Sequence, residues 1–163
     1  MTTYTRISSM SDIDFDTLFA ASLPAMDAGT YPWPEGVADE AAKKSMFAAH
    51  AQNLLDAPAG FCMKGERDGV CVVAIFGVLS SGVYSNAVGL LRSDATGSRA
   101  FIHDPEYVSS YYTFLREAGA TTLQVVVPKL SAIRAYIDKA YSFSGDDVYS
   151  WRDGTYDRVR VAL

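Results

Sequence analysis

The sequence predicts a single α/β domain spanning residues 1–163, a mixed central sheet with helices on both faces, in the order β-α-α-β-β-β-α-β-α-β-β. Three observations predict it. Val70 to Leu79 is apolar at nearly every position, the mark of a central strand covered on both sides. Asp68-Gly69 and Ser80-Ser81-Gly82 join apolar stretches through turns short enough for antiparallel hairpins. In the second half helical stretches separate the strands, as parallel crossovers require.

Taken in order, residues 4–8 read as a first strand. Ser11-Asp12-Ile13-Asp14 fits a capping box that opens a helix, with Phe15, Leu18, Phe19 and Leu23 on its apolar face and Pro24 and Gly29 ending it. Tyr31-Pro32-Trp33-Pro34-Glu35-Gly36 reads as a stiff aromatic loop. Ala38 to Asp56 favours helix, with Ala42, Met46, Phe47, Leu54 and Leu55 in one stripe and His50 beside it as a partly buried structural histidine. Strands follow at Gly60 to Arg67, Val70 to Leu79 and Val83 to Leu91. Arg92 to His103 shows no periodicity. Asp104-Pro105-Glu106 starts a helix, Asp104 as N-cap and Pro105 in the first turn, and Gly119 stops it. Leu123 to Val127 reads as a buried strand closed by Pro128, Ser131 to Tyr141 as an amphipathic helix, and Asp147 to Trp151 and Tyr156 to Leu163 as two last strands.

Composition narrows the function classes. The chain is 49% hydrophobic and 20% charged, which is ordinary for a globular protein. A net charge of -5 argues against a broad basic surface, so nucleic acid is not an expected partner. Val70 to Leu79 is too short to cross a bilayer, and Met1 to Arg6 lacks the apolar core of a signal peptide, so the expected location is the cytoplasm, away from the membrane. Cys62 and Cys71 flank the Asp68-Gly69 turn. With Arg67 opposite Val70, Cys62 is expected to face Ile75 and Cys71 to face Glu66, which makes them separate buried thiols. The region offers too few further ligands for zinc, and no metal is expected.

The element order resembles the GNAT fold of acyl-CoA N-acyltransferases. The resemblance in detail lies in the last third: the strand Leu123-Gln124-Val125-Val126-Val127, the helix Ser131 to Tyr141, the pair Ser142-Phe143, and a final hairpin turn at Asp153-Gly154 before Tyr156-Asp157. Ser131-Ala132-Ile133-Arg134 with Arg152-Asp153-Gly154 also resembles a small GNAT-like virion protein of short-tailed bacteriophages, and Gly97-Ser98-Arg99-Ala100-Phe101 is similar to phage-encoded GNAT relatives.

The resemblance implies acetyl-CoA (acyl-CoA) as cofactor and an amine, small molecule or protein, as acceptor. It implies that backbone N–H groups of Val88-Gly89-Leu90-Leu91 hold the acetyl carbonyl and pantetheine, with Gly89 marking a bulge that splays this strand from the next. The plainer reading is that Gly89 only relieves packing. The pyrophosphate is expected at a glycine-rich turn before the following helix. Here that stretch is Arg92-Ser93-Asp94-Ala95-Thr96-Gly97-Ser98-Arg99-Ala100, with one glycine, and the helix start carries Asp104 and Glu106, which repel phosphate. Thr96-Gly97-Ser98 with Arg99 is either an N–H nest for the anion or an ordinary surface loop.

The family's leaving-group acid is a tyrosine. In register that position is Asp138, with Ser131 at the family's asparagine position; Tyr136 and Tyr141 are the substitutes nearby. Asp138 donates a proton at neutral pH only if its pKa is raised. Glu66, His50 and His103 are the available general bases. Tyr31 and Trp33 sit where family members place an acceptor-binding loop, or pack on the sheet. Two functions follow. One is acetyl transfer from acetyl-CoA to an amine. The other is a catalytically silent GNAT-fold protein that serves as a structural or interaction subunit with protein partners, as in a phage virion. An acyl-CoA sensor lies between them. A splayed strand pair at Gly89 and Val125 favours the first, a filled gap the second.

Overall fold

The computed structural model describes residues 1–31, 33–93, 105–128, 149–151 and 156–163. Among the described residues seven strands form one mixed sheet: β1 (Thr3–Ile7), β2 (Cys62–Arg67), β3 (Val70–Ser80), β4 (Val83–Arg92), β5 (Thr122–Pro128), β6 (Tyr149–Trp151) and β7 (Tyr156–Ala162). Their spatial order is β1-β2-β3-β4-β5-β7-β6. Helices α1 (Phe15–Ala25) and α2 (Glu40–Asp56) lie between β1 and β2 in sequence, and α3 (Pro105–Glu117) between β4 and β5. The helix expected over residues 131–141 lies outside the described residues. No helix among the described residues is long and apolar enough to cross a membrane.

β3 carries the core. Its alternate residues serve two clusters: Val73 and Ile75 pack with Tyr4, Tyr84, Tyr107, Tyr111 and Leu115 under α3, while Ala74 and Phe76 pack with Leu18, Phe19, Phe47 and Leu91 under α1 and α2. Residues 73 to 77 are buried without interruption, as the doubly apolar sequence predicts. The two turns that define this half of the sheet form as expected. Asp68 and Gly69 (φ 53 and 77) and Ser81 and Gly82 (φ 51 and 77) are left-handed pairs, the backbone that joins twisted antiparallel strands.

Several local expectations are corrected. The capping box falls two residues earlier than expected: Ser9 and Asp12 cap a short 3-10 turn at Met10–Asp12. Asp14 then caps α1, accepting from the Thr17 N–H at 3.1 Å. Both carboxyls sit below the usual aspartate range, Asp12 through the backbone N–H groups of Ser8 and Ser9, Asp14 through the hydroxyl and N–H of Thr17. Pro24 does not end α1. It lies near its C-terminus, and the chain continues through a π-helical turn at Met26–Thr30, closed by Tyr31 N–H to the Met26 carbonyl at 3.4 Å. His50 and Ala42 are exposed on α2, where Phe47 and Ala51 are the buried contacts.

The cysteine register is also corrected. Glu66 does face Cys71 and Arg67 faces Val70, but Gly65 faces Val73, so β3 bulges by one residue and Ile75 faces Met63 rather than Cys62. Both thiols are free, but only Cys62 is buried as expected; Cys71 is half-buried, and desolvation pushes both pKa values up.

Helix α3 ends at Gly119 as expected. With φ at 93, Gly119 donates to the Arg116 carbonyl at 2.9 Å, and Ala120 donates to the Leu115 carbonyl at 2.9 Å. This paired closure absorbs two of the last carbonyls of the helix. Ala120 and Leu115 then meet in the core below α3.

Candidate functional site

β4 is bulged where it passes Phe76 and Gly77. Phe76 faces Gly89, whereas Gly77 faces Asn86, so Ala87 and Val88 are two extra residues on β4. The bulge needs a glycine opposite it. A Cβ on Gly77 would lie 2.3 Å from the Ser85 carbonyl oxygen and 2.6 Å from the Tyr84 hydroxyl, well inside contact distance.

On its other side β4 pairs with β5 in parallel, and only at the base: Val83 with Thr122, Tyr84 with Leu123, Ser85 with Gln124. Among the described residues the β4–β5 ladder stops at Ser85 and Gln124, and from Val125 onward β5 pairs with β7, Val125 opposite Val159. The two strands therefore form a fork that opens at the bulge. This is the splayed pair expected at Gly89 and Val125, with the extra residues just ahead of Gly89.

Beyond the bulge Gly89, Leu90 and Leu91 are held by β3 opposite Phe76, Ile75 and Ala74. In such a ladder alternate residues direct both N–H and C=O away from the partner. Alternate residues within Gly89 to Leu91 therefore direct main-chain groups toward the fork, with the bulge residue Val88 just ahead of them. The Leu91 side chain is fully buried beneath the helices, so only its main chain is available.

On the α1 and α2 side, three polar side chains from three strands form a row at the crotch of the fork. Gln124 Nε2 donates to Ser85 Oγ at 3.1 Å, and Arg160 Nε donates to Gln124 Oε1 at 3.0 Å. Their neighbours Tyr84, Leu123 and Val161 point into the opposite cluster. The π-helical turn at Met26–Thr30 approaches β5 on this side. Its Asp27 is tied to Lys43 Nζ at 2.7 Å, and Lys43 in turn lies over the Trp33 ring, 5.5 Å from its centroid. Tyr31 and Trp33 meet at a tilt of 52°, ring centroids 4.4 Å apart, and Tyr31 also meets Phe47. The aromatic loop therefore packs on α2.

Of the sequence-predicted site residues, Val88, Gly89, Leu90 and Leu91 come to the fork. Glu66 does not: it lies on β2, separated from β4 by β3, at about 10 Å for two strand spacings. Its carboxylate pairs with Lys64 Nζ at 3.2 Å. Thr96, Gly97, Ser98, Arg99, His103, Ser131, Tyr136, Asp138 and Tyr141 lie outside the described residues. In the first turn of α3, Glu106 Oε1 lies 3.0 Å from the Met1 amino nitrogen. Sequence reasoning missed the polar row. Its signal is alternation: Gln124 and Arg160 each lie between two apolar neighbours, and Gln124 sits in a strand read as wholly buried, whereas it is half-buried; Ser85, between Tyr84 and Asn86, gives no such signal.

An acyl-CoA would require an extended, unpaired main-chain edge for its pantetheine arm and N–H donors for its pyrophosphate. A β4–β5 pairing that stops at Ser85 among the described residues is compatible with the first requirement; the stretch expected to meet the second lies outside the described residues.

The architecture is similar to that of solved N-acetyltransferases. The ribosomal-protein-S18-alanine N-acetyltransferase from Escherichia coli aligns over 100% of this chain and 93% of its own, with a TM-score of 0.57 at 12% identity. The PaiA N-acetyltransferase from Thermoplasma acidophilum, solved in complex with coenzyme A, aligns over 100% and 99%, with a TM-score of 0.60 at 12% identity. The ribosomal-protein-alanine N-acetyltransferase from Brucella melitensis aligns over 98% and 99%, with a TM-score of 0.57 at 10% identity. At these identities the likeness is one of fold, the GNAT fold. No protein-family model matches the chain, and no curated protein matches it in sequence.

Proposed function

We propose that this chain is an acyl-CoA-dependent N-acyltransferase that moves an acetyl group to an amine. The observation that supports the reading is the fork: a bulged β4 pinned by β3 on one side, whose described pairing with β5 on the other stops at Ser85. Hydrogen-bond donors fixed in this way are oriented before a ligand arrives, which is the condition for stabilising charge as it develops on a carbonyl oxygen. Acetyl-CoA supplies the activated acyl carbon. The backbone from Val88 to Leu91 holds and orients, β3 keeps it rigid, and the aromatic packing beneath excludes water. The amine approaches from the α1 and α2 side, where the sheet carries Ser85, Gln124 and Arg160. Thr96-Gly97-Ser98 with Arg99 is the pyrophosphate site in this reading, Ser131 supports the cofactor arm, and Asp138 or Tyr136 returns the proton to the leaving thiolate. Glu66 takes part in proton removal only through intervening water, given its distance from β4. The reading implies a cytoplasmic enzyme.

Calorimetric titration with acetyl-CoA tests it. The expected result is a dissociation constant on the order of micromolar, or about 8 kcal/mol of binding free energy, weakened by Arg99→Glu. Absence of heat up to millimolar acetyl-CoA overturns the reading in favour of a catalytically silent structural protein.

A further inference from the structure

The strand register sets the depth of the fork. Ser85 lies opposite Val78 of β3, and Gly89 lies opposite Phe76. Four steps of β4 therefore advance only as far as two steps of β3, because the bulge takes up the rest. Two steps of strand cover about 7 Å, where four would cover about 13 Å. The bulge thus brings the main chain at Gly89 close above the base of the fork.

Described residues close that base on both faces. In the sheet plane it is the pair Ser85 and Gln124, the last rung of the parallel ladder among the described residues. On the α1 and α2 face the Gln124 amide bridges the two strands, donating through Nε2 to Ser85 Oγ at 3.1 Å. Its Oε1 accepts from Arg160 Nε at 3.0 Å, so the amide is held at both ends. On the α3 face Tyr84 and Leu123 are buried, and Val125 packs against the same cluster.

In the transferase reading the pyrophosphate lies beyond Arg92 and the thioester carbonyl at the segment that begins at Val88, so the acyl tail points to the base. From a carbonyl held at Gly89, a span of about 7 Å less a contact distance of about 3.5–4 Å leaves room for about two or three further carbons. Any other group that enters the fork only shortens this span.

We propose that the base of the fork is an acyl-length stop: it admits acetyl and propionyl groups and excludes a hexanoyl chain, with Gln124 as the specificity-determining residue. The inference rests on the transferase reading and adds to it the class of acyl group. A longer chain that leaves the sheet plane meets the Ser85–Gln124–Arg160 row on one face, and Leu123 and Val125 on the other. Forcing extra methylenes against a packed boundary displaces side chains and weakens binding.

Calorimetric titration with CoA, acetyl-CoA and hexanoyl-CoA tests the stop without an acceptor. CoA and acetyl-CoA are expected to bind alike, and hexanoyl-CoA at least about tenfold more weakly, the size of one overpacked contact. Gln124→Ala should bring hexanoyl-CoA to within about threefold of acetyl-CoA. Ser85→Ala removes one partner of the Gln124 amide and keeps its bulk. It should relieve part of the discrimination, and it carries the test if Gln124→Ala does not fold. Gln52→Ala, on the exposed side of α2, should leave the ratio unchanged. Equal binding of acetyl-CoA and hexanoyl-CoA by the unaltered protein overturns the stop and leaves the transferase reading standing. Discrimination undiminished in Gln124→Ala overturns the role given to Gln124. Absence of binding by all three overturns the transferase reading, and the stop with it.

Discussion

The Tyr84 phenol is fully buried, edge-on to Phe61 and Tyr111, and its hydroxyl has no hydrogen-bond partner among the described residues. Burying an unsatisfied hydroxyl costs about 1–3 kcal/mol, against which the ring's own packing is favourable. Tyr84→Phe keeps the ring and removes the cost. It is expected to leave stability unchanged or raise it by up to about 1 kcal/mol, as read by urea denaturation. Loss of more than that would mean the hydroxyl is satisfied after all. The same hydroxyl, with the Ser85 carbonyl, leaves room only for hydrogen at Gly77. Neither constraint is legible in the sequence. Phe76-Gly77-Val78 reads as one more small interruption in an apolar strand, because what forbids a Cβ there is a bulge on the neighbouring strand.

Single elements show where sequence reasoning reaches and where it stops. Hairpin turns and the α3 stop are written in residues that almost force them: Asp68-Gly69, Ser81-Gly82 and Gly119 all adopt the left-handed backbone. Gly119→Ala is expected to cost about 1 kcal/mol, measurable as a lowered urea midpoint with unchanged slope. The start and end of α1 were harder. Three candidate caps, Ser9, Ser11 and Asp14, lie within one short stretch, and local chemistry alone does not rank them; the 3-10 turn uses the first and α1 the last. Pro24 reads as a breaker, yet near a helix C-terminus its missing N–H and its ring displace few contacts, and the π-helical turn absorbs the rest. The bulge of β4 was legible, Gly89 marking it to within two residues. The Ser85–Gln124–Arg160 row was not, because it depends on a register among three strands that sequence separation hides.

At the scale of the molecule, the doubly apolar β3 predicted a sheet covered on both faces, and two packed clusters meet on either side of it. One of these clusters is dense in phenols. Burial drives the pKa of Tyr84 and of Tyr111 far above the ordinary tyrosine value of 10.0. The folded state therefore keeps both protons where the unfolded chain would release them. Their contribution to stability is complete below pH 10 and declines as pH rises above it. Circular dichroism across an alkaline titration should show loss of structure above pH 10, with phenolate absorbance from these two residues appearing only as the fold is lost. Phenolate absorbance from all tyrosines in a still-folded protein would contradict the burial.

The three-pair seam between β4 and β5 makes the sheet two plates that share a short edge. Four strands lie on one plate and three on the other. In the proposed reading a cofactor seated between the plates acts as a keystone, adding main-chain bonds to β4 beyond the three pairs of the seam. Its occupancy stiffens the joint, and heat resistance should rise with ligand concentration by mass action alone. The Gln124–Ser85 hydrogen bond at 3.1 Å crosses the seam beside its three strand pairs, so a ligand there would tighten a joint that is already laced.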